Sequence, residues 1–183
     1  MIQNAVPRYV VDDYILDRMP VRTPWGDKVA HGVTLFIAGS RGMLGAPTLA
    51  AQAALRTGCG MVHIATPETE IQTLAQKLIE PVLHGVAATQ EGAIAMQALS
   101  TLRGYAEKAD AVCIGPGLSE NVETAQLVKS LVKTVAVPMV IDADGLNALA
   151  DCPELLKEAR ADIVLSPHAG EYARLFGKLP NAI

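Results

Sequence analysis

Short, mostly apolar segments alternate along the chain with longer segments of mixed polarity. The first short segment, 33–38, is apolar except for Thr34, as is typical of a strand buried on both faces. Further strands are predicted at 61–65, 80–86, 110–114, 138–141 and 163–165. Helices are predicted at 46–57, 68–79, 90–108 (with room for an interruption at Gly104), 120–135 and 170–176.

This alternation predicts an α/β fold in which helices cover both faces of a mainly parallel sheet. We expect residues 1–183 to form a single domain that is incomplete at its C-terminus. An N-terminal helix and lead-in are predicted over 1–32, and strand–helix units over 33–183. Half of the residues are hydrophobic and only 4% are aromatic, so Ala, Val, Leu and Ile are expected to form the core.

Glycines, acidic residues and one histidine follow the predicted strands directly. In an open α/β sheet, ligands bind at the carboxyl ends of the strands. The first such loop contains Gly39, Ser40, Gly42 and Gly45 and leads into a helix. Its glycines allow close approach of a ligand, and the helix N-terminus offers N–H groups to a phosphate. A tight strand–helix turn without a ligand explains the same spacing equally well.

The loops after two later strands contain further candidates. Gly115 and Gly117 flank a proline, which fits either phosphate contact or an ordinary turn. Asp142 and Asp144 are two residues apart, so their side chains would point the same way if the strand persisted. Two such carboxylates can hold a divalent cation or perform acid–base chemistry, whereas a single one is more often a helix cap.

One histidine, His168, follows the last predicted strand and could contact a substrate or transfer a proton, although a lone histidine is more often structural. The other histidines lack a convincing sequence context. The cysteines are odd in number and far apart, which favours free thiols in a reducing compartment. A net charge of -4 without a basic stripe argues against nucleic acid as a partner. No signal peptide or membrane span is visible, so a cytoplasmic location is expected.

Four motifs in order resemble the NAD(P)H-hydrate dehydratase family of the ribokinase-like superfamily. They are G-S-x-G-M-x-G-A-P-x-L-A-A-x-A-A-L-R-x-G-x-G at 39–60, G-P-G-L at 115–118, D-A-D-G-L-N-A-L at 142–149 and P-H-x-G-E-Y at 167–172. The resemblance implies a three-layer αβα domain. It also implies a lyase that repairs hydrated NADH or NADPH, using ATP or ADP with Mg²⁺ to phosphorylate the added hydroxyl before phosphate leaves.

The resemblance also implies roles for individual residues. Ala46, Gly117 and His168 are expected to contact the hydrated substrate. Asp144 and Asn147 are assigned to substrate positioning, and Asp142 to the metal. The phosphate-binding loop would comprise five residues: Gly39, Ser40, Gly42, Gly45 and Gly115.

The sequence also departs from the family pattern. The family has an H-K-G-x-x-G stretch, of which Lys28 and Gly32 remain here, and a later G-x-G-D loop with the catalytic aspartate, which this sequence lacks. The catalytic residue is therefore unknown, and we expect this chain alone to be inactive. An uncovered sheet edge would further predict a homo-oligomer or a partner that supplies the missing half. Two alternative functions are a vitamin-precursor or sugar kinase of the same superfamily and a non-catalytic ligand-binding module.

Overall fold

A computed structural model describes Asp17 and residues 25–177. It contains six strands: β1 (Val33–Ile37), β2 (Met61–Pro67), β3 (Val82–Val86), β4 (Ala111–Ile114), β5 (Met139–Ile141) and β6 (Ile163–Leu165). The described α-helices are α1 (Gly45–Arg56), α2 (Ile71–Ala75), α3 (Leu99–Ala106), α4 (Val122–Thr134), α5 (Asp144–Asn147) and α6 (Ala169–Phe176). Short 3₁₀ turns lie at Val29–His31, Glu68–Glu70, Met96–Ala98 and Pro153–Glu158.

The strands form one sheet in the order β3-β2-β1-β4-β5-β6, and every pair of neighbours is parallel. The first described strand, β1, thus lies in the middle of the sheet. The chain then extends to one side through β2 and β3, and returns to extend to the other side from β4. The change of direction lies between β1 and β4, and such a point opens a crevice at the carboxyl ends of the two strands. The predicted parallel α/β architecture is confirmed.

Alternating side chains of the central strands pack into two separate apolar clusters, one on each face of the sheet. Leu35 and Ile37 face the larger cluster, which includes residues of α3 and α4. Phe36 faces the smaller cluster, to which α1 contributes Ala51. The two faces make a three-layer arrangement of helix, sheet and helix, as the strand pattern predicted.

Small and aliphatic side chains fill both clusters, as the composition predicted. The three cysteines are free thiols, which confirms the expectation from their spacing. Burial, reinforced by the nearby Asp142 carboxylate, raises the pKa of the Cys113 thiol to about 12. Cys113 therefore behaves as a small apolar residue of the smaller cluster rather than as a nucleophile.

The prediction of a helix over 90–108 is wrong for the first part of that range. Residues 87–95 form a loop in which Ala88 and Ile94 make an isolated antiparallel bridge, and α3 begins only at Leu99. Gly92 has a positive φ of 81°, a conformation that ends helical geometry. Gly104, in contrast, lies within α3 without interrupting it.

The helix predicted over 68–79 is also shorter in the structure. A 3₁₀ turn precedes α2, which ends at Ala75, and Ile79 beyond it is almost fully exposed. Most of the N-terminal helix predicted within 1–32 lies outside the described residues; within 25–32 there is a single 3₁₀ turn. No helix in the described part of the chain combines the length and apolarity needed to cross a membrane.

Candidate functional site

The loops that follow β1 and β4 are bonded to each other at the point where the sheet changes direction. The Gly39 N–H donates to the carbonyl of Pro116 at 2.9 Å, and the buried Ser40 hydroxyl donates to the carbonyl of Gly117 at 2.8 Å. The side chain of Ser40 is therefore occupied in joining the loops. Two glycine-rich segments that are far apart in sequence thus form one surface.

Glycine is required at this junction because neighbouring backbone atoms, and at Gly39 the Thr66 side chain, occupy the space of a Cβ. A Cβ on Gly115 would lie 1.7 Å from the carbonyl oxygen of Asp142, and its φ is +131°. A Cβ on Gly117 would lie 2.5 Å from the carbonyl oxygen of Met43. A Cβ on Gly39 would lie 2.8 Å from the hydroxyl of Thr66. That hydroxyl is fully buried and has no hydrogen-bond partner among the described residues.

The N-terminus of α1 adjoins this junction. Its N-cap residue, Leu44, makes no side-chain capping bond, so the N–H groups of the first turn have no side-chain acceptor there. Gly45 and Ala46 in that turn are exposed, and Gly42 beside them has a φ of +79° with open space around it. Free N–H groups and the positive end of a helix dipole favour a negatively charged group at this position.

The loop after β5 separates two carboxylates that the sequence placed side by side. β5 ends at Ile141, and Ala143 adopts φ 47° and ψ −119°, the geometry of the second residue of a type II′ turn. Glycine is the usual residue at that position, so Ala143 is strained. The turn sends the Asp142 carboxylate towards Ser166, whose hydroxyl donates to Oδ1 at 2.7 Å.

Asp144 makes a different set of contacts. Its Oδ2 accepts from the backbone N–H of Ser119 at 2.9 Å, and its Oδ1 faces the amide nitrogen of Asn147 at 3.4 Å. Asn147 in turn accepts through Oδ1 from Nε of Arg174 at 3.0 Å. These four residues form a polar network that links the loop after β4 with α5 and α6. The network lines a cleft of about 340 Å³.

His168 is the N-cap of α6. Its Nδ1 accepts from the N–H groups of Gly170 and Glu171 at 3.0 and 3.3 Å. Glu171 returns a bond, because its Oε2 accepts from the His168 N–H at 2.8 Å, which completes a capping box. Since Nδ1 is an acceptor, the ring proton of the neutral form is on Nε2, 3.2 Å from the other Glu171 oxygen.

Both ring nitrogens of His168 are therefore engaged at the helix terminus, although two-thirds of the side chain is exposed. Glu171 belongs to this capping box and supports the first turn of α6. The exposed imidazole lies beside Arg174 of the polar network.

The loop between β3 and α3 belongs to the same edge and was missed by the sequence analysis. The Arg41 N–H donates to the carbonyl of Gly92 at 2.8 Å, and the Asn121 amide donates to Glu91 at 2.9 Å. This loop therefore connects the loops after β1 and β4. A glycine-containing segment inside a predicted helix was the signal that could have located it.

A pair of histidines lies elsewhere, on the sheet face covered by α3. His63 Nδ1 and His84 Nε2 are 2.8 Å apart, and the Tyr105 ring packs against His84 with centroids 4.3 Å apart. Burial lowers the pKa of both histidines, and the neighbouring His63 lowers that of His84 further. Nothing in the sequence connects the two histidines, because they come together only through the register of β2 and β3.

No group of three or more potential metal ligands occurs among residues 25–177 or at Asp17. Asp142, predicted as a metal ligand, has the Ser166 hydroxyl as its hydrogen-bond partner, and Asp144 is used in the polar network. The structure brings the predicted residues to one edge of the sheet. The carboxylates of Asp142 and Asp144 do not point to a common position.

Comparison with known proteins gives a consistent result. A family profile described as NAD(P)H-hydrate dehydratase matches residues 34–182. A bifunctional NAD(P)H-hydrate repair enzyme of Salinibacter ruber is 45% identical over 161 residues, which cover 87% of this chain and 30% of that protein. An ADP-dependent (S)-NAD(P)H-hydrate dehydratase of Xanthomonas campestris is 34% identical, with 88% of this chain and 54% of that protein covered. The chain thus spans about a third of the bifunctional relative and about half of the dehydratase.

Solved structures show the same fold. A Bacillus subtilis ADP/ATP-dependent NAD(P)H-hydrate dehydratase, co-crystallised with ATP/Mg²⁺, superposes with a TM-score of 0.64 at 27% identity, covering 86% of this chain and 52% of that one. A ribokinase-like superfamily protein from Enterococcus faecalis gives a TM-score of 0.74 at 23% identity, covering 92% and 56%. The ribokinase-like fold expected from the motifs is confirmed.

Proposed function

The chain belongs to the NAD(P)H-hydrate dehydratase family, and from this membership we propose that it forms the substrate-binding part of an ADP- or ATP-dependent enzyme that dehydrates hydrated NADH or NADPH. The joined loops at the change of sheet direction are the observation that supports this proposal most directly. They place backbone N–H groups and the uncapped start of α1 on one surface. That surface suits a dinucleotide. The phosphates of a dinucleotide accept hydrogen bonds from backbone N–H groups, and glycines let the backbone come close to the ligand.

We assign contact with the hydrated dinucleotide substrate to Ala46, Gly117 and His168. Ala46 is exposed on the first turn of α1, and Gly117 lies against the backbone of Met43 in the same loop system. His168 follows the edge strand β6, whereas Ala46 follows the central strand β1. The substrate would therefore extend from β1 towards β6 along the carboxyl edge of the sheet. His168 would contact it through the exposed part of the ring, since both nitrogens serve the helix cap.

The phosphate-loop assignment is retained for the backbone of Gly39, Ser40, Gly42, Gly45 and Gly115. Asp144 and Asn147 are positioning residues in this proposal, because each holds a neighbouring group in place. Asp144 fixes the loop after Gly117 through the N–H of Ser119. Asn147 fixes the guanidinium of Arg174.

ATP or ADP is the phosphoryl donor in this proposal, as the names of the Xanthomonas and Bacillus proteins indicate for those enzymes. Mg²⁺ would accompany the nucleotide. The described residues provide no protein cage for it, and Asp142 is the carboxylate we propose as a single ligand. Such an arrangement suits Mg²⁺, which is commonly bound by one or two carboxylates together with phosphate oxygens and water.

The three free thiols fit the reducing conditions of the cytoplasm, which we propose as the compartment.

We also propose that the chain self-associates. Val140 and Val164, neighbours on β5 and β6, are 38% and 61% exposed on the face opposite the larger cluster. Apolar side chains next to the last strand favour association. A monodisperse monomer in light scattering would contradict it.

The function is tested by titrating the purified chain with hydrated NADPH in a calorimeter. We expect saturable binding, and we expect Ala46→Asp to weaken it at least about tenfold, because a carboxylate would occupy the anion position. An acidic residue in the first turn of a helix does not destabilise that helix. Gln52→Asp is the matched control, since it adds the same charge to an exposed position of α1 about 9 Å further along.

Absence of binding to the unaltered chain, or equal binding by Ala46→Asp, would overturn the proposal. Turnover is measured in the same preparations from the return of reduced-nicotinamide absorbance after addition of ADP or ATP. Phosphorylation of a vitamin precursor or a sugar instead would support the kinase alternative. Binding without turnover is the result expected of this chain alone, whose sequence lacks the G-x-G-D loop. Recovery of reduced nicotinamide would exclude the non-catalytic alternative.

A further inference from the structure

The carboxyl edge of the sheet is acidic, and positive side chains are rare there. In the described loops that follow the six strands, Arg41 is the only lysine or arginine. Acidic side chains of these loops and of the adjoining helical turns are Glu68, Glu70, Glu91, Glu120, Glu123, Asp142, Asp144 and Glu171. A ligand with several phosphates therefore meets a repulsive field, so each available cation matters for its binding.

Arg174, on the second turn of α6, adds a second cation to this edge. Its Nε donates to Oδ1 of Asn147 at 3.0 Å, and Asn147 is itself held by Asp144. Asp144 is fixed by the backbone N–H of Ser119. This network sets the orientation of the guanidinium plane, while both terminal nitrogens have no hydrogen-bond partner among the described residues.

The guanidinium also lies close to His168. A Cβ built on Gly170 would be 3.6 Å from Nη1 of Arg174 and 2.9 Å from Cε1 of His168, so the two side chains flank the same point. Arg174 also lines the 340 Å³ cleft that Asp144 and Asn147 line. An exposed arginine in a fixed orientation beside the start of a helix is suited to a phosphoryl group.

Arg41 is placed differently. Its Nη1 donates to the carbonyl of Gln90 at 3.3 Å, and its Nε lies 3.9 Å from a Glu70 oxygen. Its side chain also fills the space above Gly92. These contacts tie Arg41 to the loop between β3 and α3. Arg174 is therefore the arginine of this edge whose terminal nitrogens are open to a ligand in the described structure.

We propose that Arg174 is a specificity-determining residue that binds a phosphoryl group of the dinucleotide substrate, with Asn147 as its positioning residue. This inference rests on the proposed function. A guanidinium held through Nε retains two terminal N–H₂ groups that can bind two phosphate oxygens at once. The preference for phosphorylated over phosphate-free forms of the hydrated nicotinamide would depend on this contact.

The experiment compares the full chain with Arg174→Gln, Arg174→Lys and Asn147→Ala by calorimetry. The ligands are hydrated NADPH, the phosphate-free hydrated nicotinamide riboside, and ADP. We expect Arg174→Gln to weaken the binding of hydrated NADPH about tenfold or more, which is typical for the loss of a hydrogen bond from a charged group. The riboside should bind the variant and the unaltered chain equally. Arg174→Lys should recover part of the loss, and Asn147→Ala should show a smaller loss of the same kind.

A merely structural role would not change the salt dependence of binding, whereas loss of a phosphate contact makes the affinity for NADPH hydrate less sensitive to added KCl. Arg160→Gln is the matched control, because it removes an exposed arginine from the opposite edge, just before β6. Thermal unfolding of every variant verifies that each is folded.

The outcomes separate this inference from the proposed function. If the unaltered chain binds no hydrated dinucleotide, the proposed function fails. If it binds and Arg174→Gln binds with the same affinity and salt dependence, the inference fails alone. A loss confined to ADP would overturn the assignment to the substrate, because Arg174 would then contact the nucleotide. Equal losses for NADPH hydrate and the riboside would also overturn it.

Discussion

The two halves of the candidate site are built in different ways. At the change of sheet direction, the loops after β1 and β4 meet mainly through backbone atoms, with the Ser40 hydroxyl as an additional link. Gly115 fits there because it has no side chain. At the β5–β6 end, the loops and helices are joined by side chains, in the network from Ser119 through Asp144 to Arg174. In the first half, a side chain at Gly115 or Gly117 would collide with backbone atoms. The second half is held by a few side-chain hydrogen bonds, each of which a single substitution can remove.

This difference predicts different responses to substitution. Changes in the backbone-built half should act on folding, because the contacts there leave no room for adjustment. Changes in the side-chain-built half should act mainly on local order and ligand binding. Four substitutions test the contrast, in order of decreasing expected effect.

Gly115→Ala should be the most damaging. A Cβ 1.7 Å from the Asp142 carbonyl, at a φ of +131°, cannot be accommodated without separating β4 from β5. We expect a loss of about 4 kcal/mol or more in the free energy of unfolding, measured by urea denaturation, or failure to fold. Gly45→Ala is the control: with open space around it and a helical position, it should be neutral or slightly stabilising. Equal effects of the two substitutions would remove the basis of the comparison.

Asp144→Ala should have the next largest effect. It leaves the Ser119 N–H and the Asn147 amide without their acceptor, which costs about 1–3 kcal/mol for a partly buried group. The matched variant Asp142→Ala removes a bond from the exposed Ser166 hydroxyl and should cost less than Asp144→Ala. Chemical denaturation of both proteins gives the order, and a larger effect at Asp142 would contradict the network described for Asp144.

His168→Ala removes the cap of α6 and should lower stability by about 1 kcal/mol. His168→Asn keeps an acceptor for the first-turn N–H groups and should restore most of this loss. Neither change is expected to disturb the loops after β1 and β4. Because Asn does not replace the imidazole, calorimetry should show that His168→Asn is stable yet weakened in binding hydrated NADPH. A fully stable His168→Ala would show that the capping box has no energetic role.

Ala143→Gly should have the smallest effect, and of the opposite sign. Relief of the strained φ of 47° outweighs the extra flexibility of glycine in the unfolded chain, so a gain of roughly 0.5 kcal/mol is expected. Thermal unfolding is sensitive enough to detect it. A decrease in stability would mean that the turn does not store strain.

The sequence predicted the strands closely because each is a short apolar run between glycines or polar residues. The bounds of β6 agree in full, and those of β4 and β5 differ at one end by a single residue. Since parallel strands end at a common edge, the positions of Gly39, Gly115, Asp142 and His168 on that edge also followed from the sequence.

What the sequence could not predict depends on side-chain direction and on contacts between distant segments. The opposite orientations of Asp142 and Asp144 arise from the φ of Ala143, a residue type that does not normally indicate such a turn. The contact between His63 and His84 requires the register of two strands. The role of Arg174 depends on Asn147, which lies 27 residues earlier in the chain.

The bond between Ser40 and Gly117 also has a consequence for biosynthesis, since it joins residues 77 positions apart. At typical elongation rates, about 4 to 15 s pass between the synthesis of the two loops. During this interval β1 can pair with β2, but its other edge stays open and the glycine-rich loop lacks its partner. Ligand binding therefore cannot assist the earliest stages of folding on the ribosome. A pause in translation before β4 would prolong the exposure of β1, which lies in the middle of the finished sheet.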